Sequence, residues 1–289
     1  MAVEPGAGLD AGAGAGFGNN TGPFAGPVAI LSAVHEELRA LLPVLRHPTR
    51  VRLAGREFHS GEIHGHPVVL VLSGIGKVAA ATTAALLIHA FKARALVFTG
   101  VAGGLQRGVR VGDVVVARQL LQHDMDASPL FPRFEVPLTG RALFEADAAL
   151  VDALAGAAQR CLARADVLIG AERLAAFGIA AARLHQGLVI SGDRFVASEA
   201  HSSELRALLP GALAVEMEGA AVAQVCADFG TRFAVLRTIS DRADDSAHVD
   251  FQRFIVDVAS AYTHAIVDDW LRHLPGHSPG HSPGNSPQP

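Results

Sequence analysis

Two cysteines, Cys161 and Cys226, are all that the 289 residues contain. That is too few for a disulfide framework, so a reducing, cytoplasmic setting is expected. Charge of one sign is not in excess: 24 Lys+Arg stand against 28 Asp+Glu, a net charge of -4, which lacks the electrostatic footprint of a nucleic-acid or anionic-membrane binder. No apolar run is long enough to span a bilayer, since even Val78 to Phe91 is broken by Thr82, Thr83 and His89. The first Lys or Arg is Arg39, so the start has no basic n-region and does not read as a secretory signal. What these absences leave is a soluble protein with a small-molecule partner.

What is present is enough apolar chain for a generous core: half of the residues are hydrophobic and 18% are charged, which excludes a disordered chain. Residues 1–27 are dominated by Gly, Ala, Pro and Asn, and 275–289 repeat His-Ser-Pro-Gly. Both compositions predict disordered tails, and His277 and His281 read as solvated rather than metal-binding. Between the tails no linker or long-period repeat interrupts 28–274, which predicts one domain. Its apolar runs include Val28 to Ala33, Ala95 to Thr99, Val114 to Ala117, Leu184 to Ile190, Ala212 to Val215 and Ala234 to Ile239. Helical patterns centre near Leu150, Leu205, Val222 and Val258, and the β-type runs Arg50 to Leu53, Glu57 to Ile63 and Pro67 to Leu72 predict a meander or hairpins. Near-continuous strands alternating with helices predict a three-layer α/β sandwich around a mixed, mostly parallel sheet.

Several chemical motifs are missing. Gly74-Ile75-Gly76-Lys77 has Val78 where a Walker loop needs Ser or Thr, and no acid lies between Lys77 and Asp113 to hold a dinucleotide ribose. A tight strand-to-helix turn competes with a modified small-molecule loop there. His123-Asp124-Met125-Asp126 and His35-Glu36-Glu37 lack zinc-site spacing, so no metal is expected. There is no Gly-x-Ser-x-Gly elbow and no cysteine with a nucleophile's surroundings, which disfavours covalent catalysis. Gly100 to Gly104 holds more small residues than a turn needs and suggests close approach of backbone to ligand. Carboxylates carry more. Glu36 and Glu37 follow the first strand, Glu216 and Glu218 follow the run ending at Val215, and Asp241 follows the run ending at Ile239. One such acid reads as a helix cap; three at strand ends point to a site.

Taken in order and spacing, Ser73-Gly74-Ile75-Gly76-Lys77, Thr99 to Gly104, Ser191-Gly192-Asp193, Ala214-Val215-Glu216-Met217-Glu218-Gly219 and Arg237-Thr238-Ile239-Ser240-Asp241 resemble the 5′-methylthioadenosine/S-adenosylhomocysteine nucleosidases of the nucleoside phosphorylase superfamily. The resemblance covers roughly Val28 to Leu271. It implies a cofactor-free, homodimeric enzyme that hydrolyses an adenine N-glycosidic bond. Glu37 matches the acid that activates water, and Asp241, with Ser240 beside it, the acid that protonates adenine N7. Glu218 matches the ribose-binding acid, Arg237 and Glu216 the pair near the water site, and Phe195 and the Val196 backbone the adenine contacts. Ile75, Met217 and Phe251 match the lining of the ribose and 5′-substituent pocket, and Gly103 a substrate-binding position. Such roles suit an oxocarbenium-like transition state, which needs a protonated leaving group and an activated water. Implied substrates are 5′-methylthioadenosine and S-adenosylhomocysteine, with 5′-deoxyadenosine and 6-amino-6-deoxyfutalosine as further candidates; Val116 to Asp126, with Gln122-His123-Asp124-Met125-Asp126, looks most like members that also accept the last. Val101 stands where many members carry Ser, and the stretch Ser128 to Pro137, which in relatives helps close the neighbouring subunit's pocket, differs too much for any residue to be carried over. A futalosine hydrolase, a nucleoside phosphorylase and a non-catalytic nucleoside-binding module are the alternatives.

Overall fold

The computed structural model describes residues 26–244 and 251–275; the tails expected over 1–27 and 275–289 lie almost wholly outside the described residues. Its ten described strands join one sheet. They are β1 (Val28–Ser32), β2 (Arg46–Leu53), β3 (Arg56–Ile63), β4 (His66–Leu72), β5 (Ala95–Gly104), β6 (Val114–Gln122), β7 (Leu143–Glu145), β8 (Leu184–Ser191), β9 (Ala212–Glu216) and β10 (Arg232–Asp241). The helices are α1 (His35–Leu41), α2 (Lys77–His89), α3 (Ala148–Leu162), α4 (Ala165–Ile169), α5 (Ala171–Ala176), α6 (Glu199–Leu208), α7 (Gly219–Phe229), α8 (Phe251–Phe254) and α9 (Ser260–His273). A π-helical turn, Ile255–Ala259, joins α8 to α9.

Strand order is β10-β6-β8-β9-β5-β1-β4-β3-β2, and β10 pairs with β5 as well. The longest registers are parallel, β10 on β5 and β6 on β8, while β2, β3 and β4 form the expected antiparallel meander. Alternation along the strands splits the core into two layers. Val28 and Ile30 of β1 join Leu38, Leu154, Ile266 and Trp270 under α1, α3 and α9. Ala29 and Leu31 join Ala80, Ala84, Leu87 and Val222 under α2 and α7. The three-layer sandwich read from the sequence is the fold observed.

β5 differs from its reading. Gly100 to Gly104 continue the strand instead of ending it at Thr99. Residues 95–99 lie beside β1, but Gly103 and Gly104 pair with Val215 and Ala214 of β9 in antiparallel fashion. The curl of β5 therefore closes β5, β10, β6, β8 and β9 into a ring. At Gly103 the ring has Val215 on one side and Asp241 on the other, which brings the carboxyl ends of β9 and β10 together although β10 runs parallel to β5 and β9 antiparallel to it.

Candidate active site

Glycines in β5 make room for side chains of β10. A Cβ on Gly100 would stand 2.9 Å from Arg237 Nη1, and one on Gly103 would stand 2.9 Å from Asp241 Oδ1 and from Ala243 Cβ. The small-residue run is thus a bed for a guanidinium and a carboxylate, which explains why glycine persists inside a strand.

Arg237 is fully buried, with its guanidinium carbon 4.3 Å from the centre of the Phe98 ring. Its Nε and Nη2 donate to Glu216 Oε2 at 3.2 and 2.5 Å, and Nη1 donates to the Phe98 carbonyl at 3.2 Å. The rest of the Glu216 carboxylate is occupied as well. It accepts from the Gly219 N–H at 2.8 and 2.9 Å, from the Glu218 N–H at 3.2 Å and from the Ser191 hydroxyl. Glu216 lines the cleft, yet it acts here as the cap of α7 and the counter-ion of Arg237, the arrangement that makes a buried charge tolerable.

The other acids are less satisfied. Glu37, in the first turn of α1, is wholly buried. Its Oε1 accepts from Thr263 Oγ1 at 3.2 Å, and Oε2 has no hydrogen-bond partner among the described residues. Burial pushes its pKa up to about 7, against the pull of Arg237 and Thr263 and with the push of Glu36 and Glu218. Glu218, at the N-cap of α7, accepts the Gly76 N–H at 2.8 Å. Burial first, and the neighbouring Glu216 second, raise its pKa. Asp241 is held from two sides, by Ser240 Oγ on Oδ2 and by the Ala243 N–H on Oδ1, both at 2.7 Å. Those bonds favour its anion, but burial outweighs them and raises its pKa.

A cleft of about 170 Å³ lies between these groups. Ala33, Val34, Val101, Ala102 and Gly103 form one wall; Glu218, Met217, Ser240 and Asp241 supply polar and flexible atoms. Ile75, Phe195, Val196 and Phe251 complete it, with the rings of Phe195 and Phe251 edge to face at 6.1 Å. Glu37 and Arg237 are not among the lining residues; Glu37 follows the β1–α1 turn, whose Ala33 and Val34 line the cleft, and Arg237 pairs with Gly100 of β5, next in sequence to the lining residue Val101. The Gly74 to Lys77 loop is no phosphate cradle. Gly76 gives its N–H to Glu218, the Lys77 N–H goes to Asp193 Oδ1 at 2.7 Å, and Lys77 Nζ pairs with Asp124 at 2.6 Å. Gln122 and Asp124 hold this loop from behind. Among the described residues no group of three or more potential ligands could hold a metal ion.

Two contributions were not read from the sequence. Ser191 joins Glu216 to the Ala220 N–H, and Thr263 reaches Glu37 from 226 residues away. A threonine on an otherwise apolar helix face is the only local hint of the latter.

A cleft at a ring of strands, walled by acids whose charged forms are disfavoured by burial, defines a class of protein that does acid–base work on a small molecule. The chain matches the family model of the phosphorylase superfamily over residues 27–272. It is similar to a 5′-methylthioadenosine/S-adenosylhomocysteine nucleosidase from Neisseria meningitidis solved with methylthio-immucillin-A: 35% identity, 86% of this chain and 99% of that chain covered, TM-score 0.75. An S-adenosylhomocysteine nucleosidase from Streptococcus pyogenes in complex with 5-methylthiotubericidin is 30% identical over 86% and 98% of the two chains, TM-score 0.75. The Colwellia psychrerythraea nucleosidase in complex with adenine is 33% identical over 88% and 97%, TM-score 0.74. The chain therefore belongs to the 5′-methylthioadenosine/S-adenosylhomocysteine nucleosidase family within the phosphorylase superfamily, and is an N-glycosyl hydrolase.

Proposed function

We propose that this protein hydrolyses 5′-methylthioadenosine and S-adenosylhomocysteine to adenine and the corresponding 5′-thio-ribose, without a cofactor. The observation that carries this reading is the presence of Glu37, buried with one unpartnered oxygen and a pKa near 7, together with Asp241, which lines the cleft and is driven toward its protonated form. In this reading Asp241 donates its proton to adenine N7, so the leaving group departs neutral while the ribose C1′–N9 bond breaks. Glu37 takes a proton from the water that attacks C1′, and its pKa near 7 makes both of its forms accessible at neutral pH. Glu218 accepts the ribose hydroxyl hydrogens and stabilises the developing cation electrostatically. Phe195 stacks on the base, the Val196 backbone meets its edge, and Ile75, Met217 and Phe251 surround the 5′ substituent. Arg237, fixed by Glu216, holds the charge balance around Glu37; with Val101 in place of a hydroxyl, water binding falls mainly to this pair.

5′-Deoxyadenosine and 6-amino-6-deoxyfutalosine share the adenine and ribose that these contacts address and belong to the same proposal. So does a homodimer working in the cytoplasm. No helix among the described residues is long and apolar enough to cross a membrane. An anionic carboxylate at the nucleophile position repels phosphate, which favours hydrolysis over phosphorolysis. The test is adenine release from phosphate-free protein, with and without added phosphate, for each nucleoside in parallel. Release independent of phosphate is expected, with Glu37→Gln and Asp241→Asn each lowering kcat at least about a hundredfold. Release only with phosphate, or wild-type turnover by either variant, overturns the reading.

A further inference from the structure

We infer that Thr263 is a positioning residue for the hydrolytic base: its hydroxyl bonds one oxygen of Glu37 and so selects which oxygen is left to face the reacting water. This rests on the reading of Glu37 as the base. Thr263 is fully buried and donates to Glu37 Oε1 at 3.2 Å, leaving Oε2 as the oxygen without a partner. A hydroxyl has one proton to give. Elsewhere in the helices Thr82 and Ser260 turn theirs back to the carbonyl four residues earlier, the ordinary choice for such side chains. Thr263 commits its proton to a side chain on another element.

The helix is built to allow this. Phe251 lines the cleft at one end of the continuous run α8, π turn and α9. In an undistorted α-helix, residues twelve apart point about 120° away from each other. The π turn at Ile255–Ala259 adds one residue to the winding and reduces that angle to about 20°. Phe251 and Thr263 consequently share a face, one end reaching the cleft and the other reaching the base. π turns are rare within helices and often fall at functional sites, and here the turn has an identifiable consequence.

The charged groups acting on Glu37 come from its own helix (Glu36), from β10 (Arg237) and from the N-cap of α7 (Glu218). Glu36 is in turn bonded by Gln252 Nε2 at 2.8 Å. Burial raises the Glu37 pKa, and the Thr263 hydrogen bond opposes the rise. Removing the hydroxyl raises that pKa further, so the acidic limb of the rate profile must move to higher pH.

The experiment is the pH profile of kcat and kcat/KM for full-length wild type, Thr263→Val, Thr263→Ser and Glu37→Gln with 5′-methylthioadenosine, together with a thermal melt of each. Thr263→Val keeps the shape and removes the donor; it is expected to move the acidic limb up by roughly one pH unit, lowering kcat several-fold near pH 6 and less near pH 8, with KM nearly unchanged. Thr263→Ser is expected to restore the wild-type limb. A Thr263→Val profile that coincides with wild type while Glu37→Gln is inactive overturns the role of Thr263 and leaves the base assignment standing. A loss in Thr263→Val that is equal at all pH values, or that serine does not repair, identifies a packing effect and also overturns it. Wild-type turnover by Glu37→Gln removes the base and the positioning role together. If the valine variant fails to melt cooperatively, the serine profile decides: a limb away from the wild-type position refutes the hydrogen bond, and a coincident one supports it.

Discussion

Glu37 and Glu216 are both buried carboxylates on the same molecule, and their surroundings treat them oppositely. Glu216 has a guanidinium, a hydroxyl and two backbone N–H groups; Glu37 has one hydroxyl and one bare oxygen. The difference has a thermodynamic consequence. A carboxyl whose folded pKa lies above its unfolded value contributes stability that is fully present below the unfolded pKa and lost as pH rises through the folded one. For Glu37 that window runs from 4.5 to about 7, and a shift of this size corresponds to about 3 kcal/mol withdrawn from the fold across it. Glu37→Gln removes the titration. Its melting temperature relative to wild type should therefore increase between about pH 5 and about pH 8, while its turnover collapses. Equal differences at both pH values would show that Glu37 is not held with a raised pKa. A residue that weakens the fold at working pH and cannot be replaced without losing activity is the pattern expected of a functional group, not of a core residue. Three acids at strand ends were visible in the sequence as residue types; that one would be capped and paired while another stayed bare was not, because the partners Arg237, Ser191 and Thr263 arrive from distant segments.

Elements were read well where their pattern was local. β1, β4, β8 and β10 are apolar runs with punctuation, and α3, α6 and α7 carry helical periodicity, so both kinds were visible in the amino-acid order. The strand pattern of β5 stops at Thr99 because Gly100 to Gly104, with Val101 its one strand-favouring residue, is otherwise Gly and Ala. Tertiary contact overrides propensity here: β9 and β10 supply the pairing, and side chains of β10 occupy the space above the glycines. The π turn was illegible for a similar reason, since it depends on what the two halves of the helix must face. Gly103→Ala tests the argument about β5. The new Cβ would meet Asp241 Oδ1 and Ala243 Cβ at 2.9 Å, a separation that forces the carboxylate to move. Misplacing a proton donor by even 1 Å costs on the order of a hundredfold in rate, so kcat should fall by about that factor while the melting temperature drops by only a few degrees. Unchanged kcat would mean that the Asp241 carboxylate does not depend on its bed in the strand.

At the scale of the whole molecule, closure of β5, β10, β6, β8 and β9 into a ring gathers the acids, and the α1 and α9 layer delivers Glu37 and Thr263. The sandwich was legible because alternating burial on both faces of the strands requires two helical layers; the ring was not, because it arises from the double pairing of β10. Ile75, which lines the cleft, is 68% exposed, Val78 three residues on is 78% exposed, and Phe195, also in the cleft lining, is 47% exposed; large hydrophobic side chains left in solvent mark a contact surface when they are contiguous. The proposed homodimer would cover these side chains and complete the pocket. Sedimentation velocity should give a mass of two chains at micromolar concentration. Val78→Glu is a clean probe, since Val78 is in the first turn of α2, where a carboxylate complements the helix dipole and does not weaken the monomer. A buried charge at the contact should dissociate the dimer, and with these side chains uncovered KM should rise more than kcat falls. A variant that remains dimeric with unchanged KM would place the dimer contact elsewhere, and a monomeric, fully active wild type would show that the cleft is complete within a single chain.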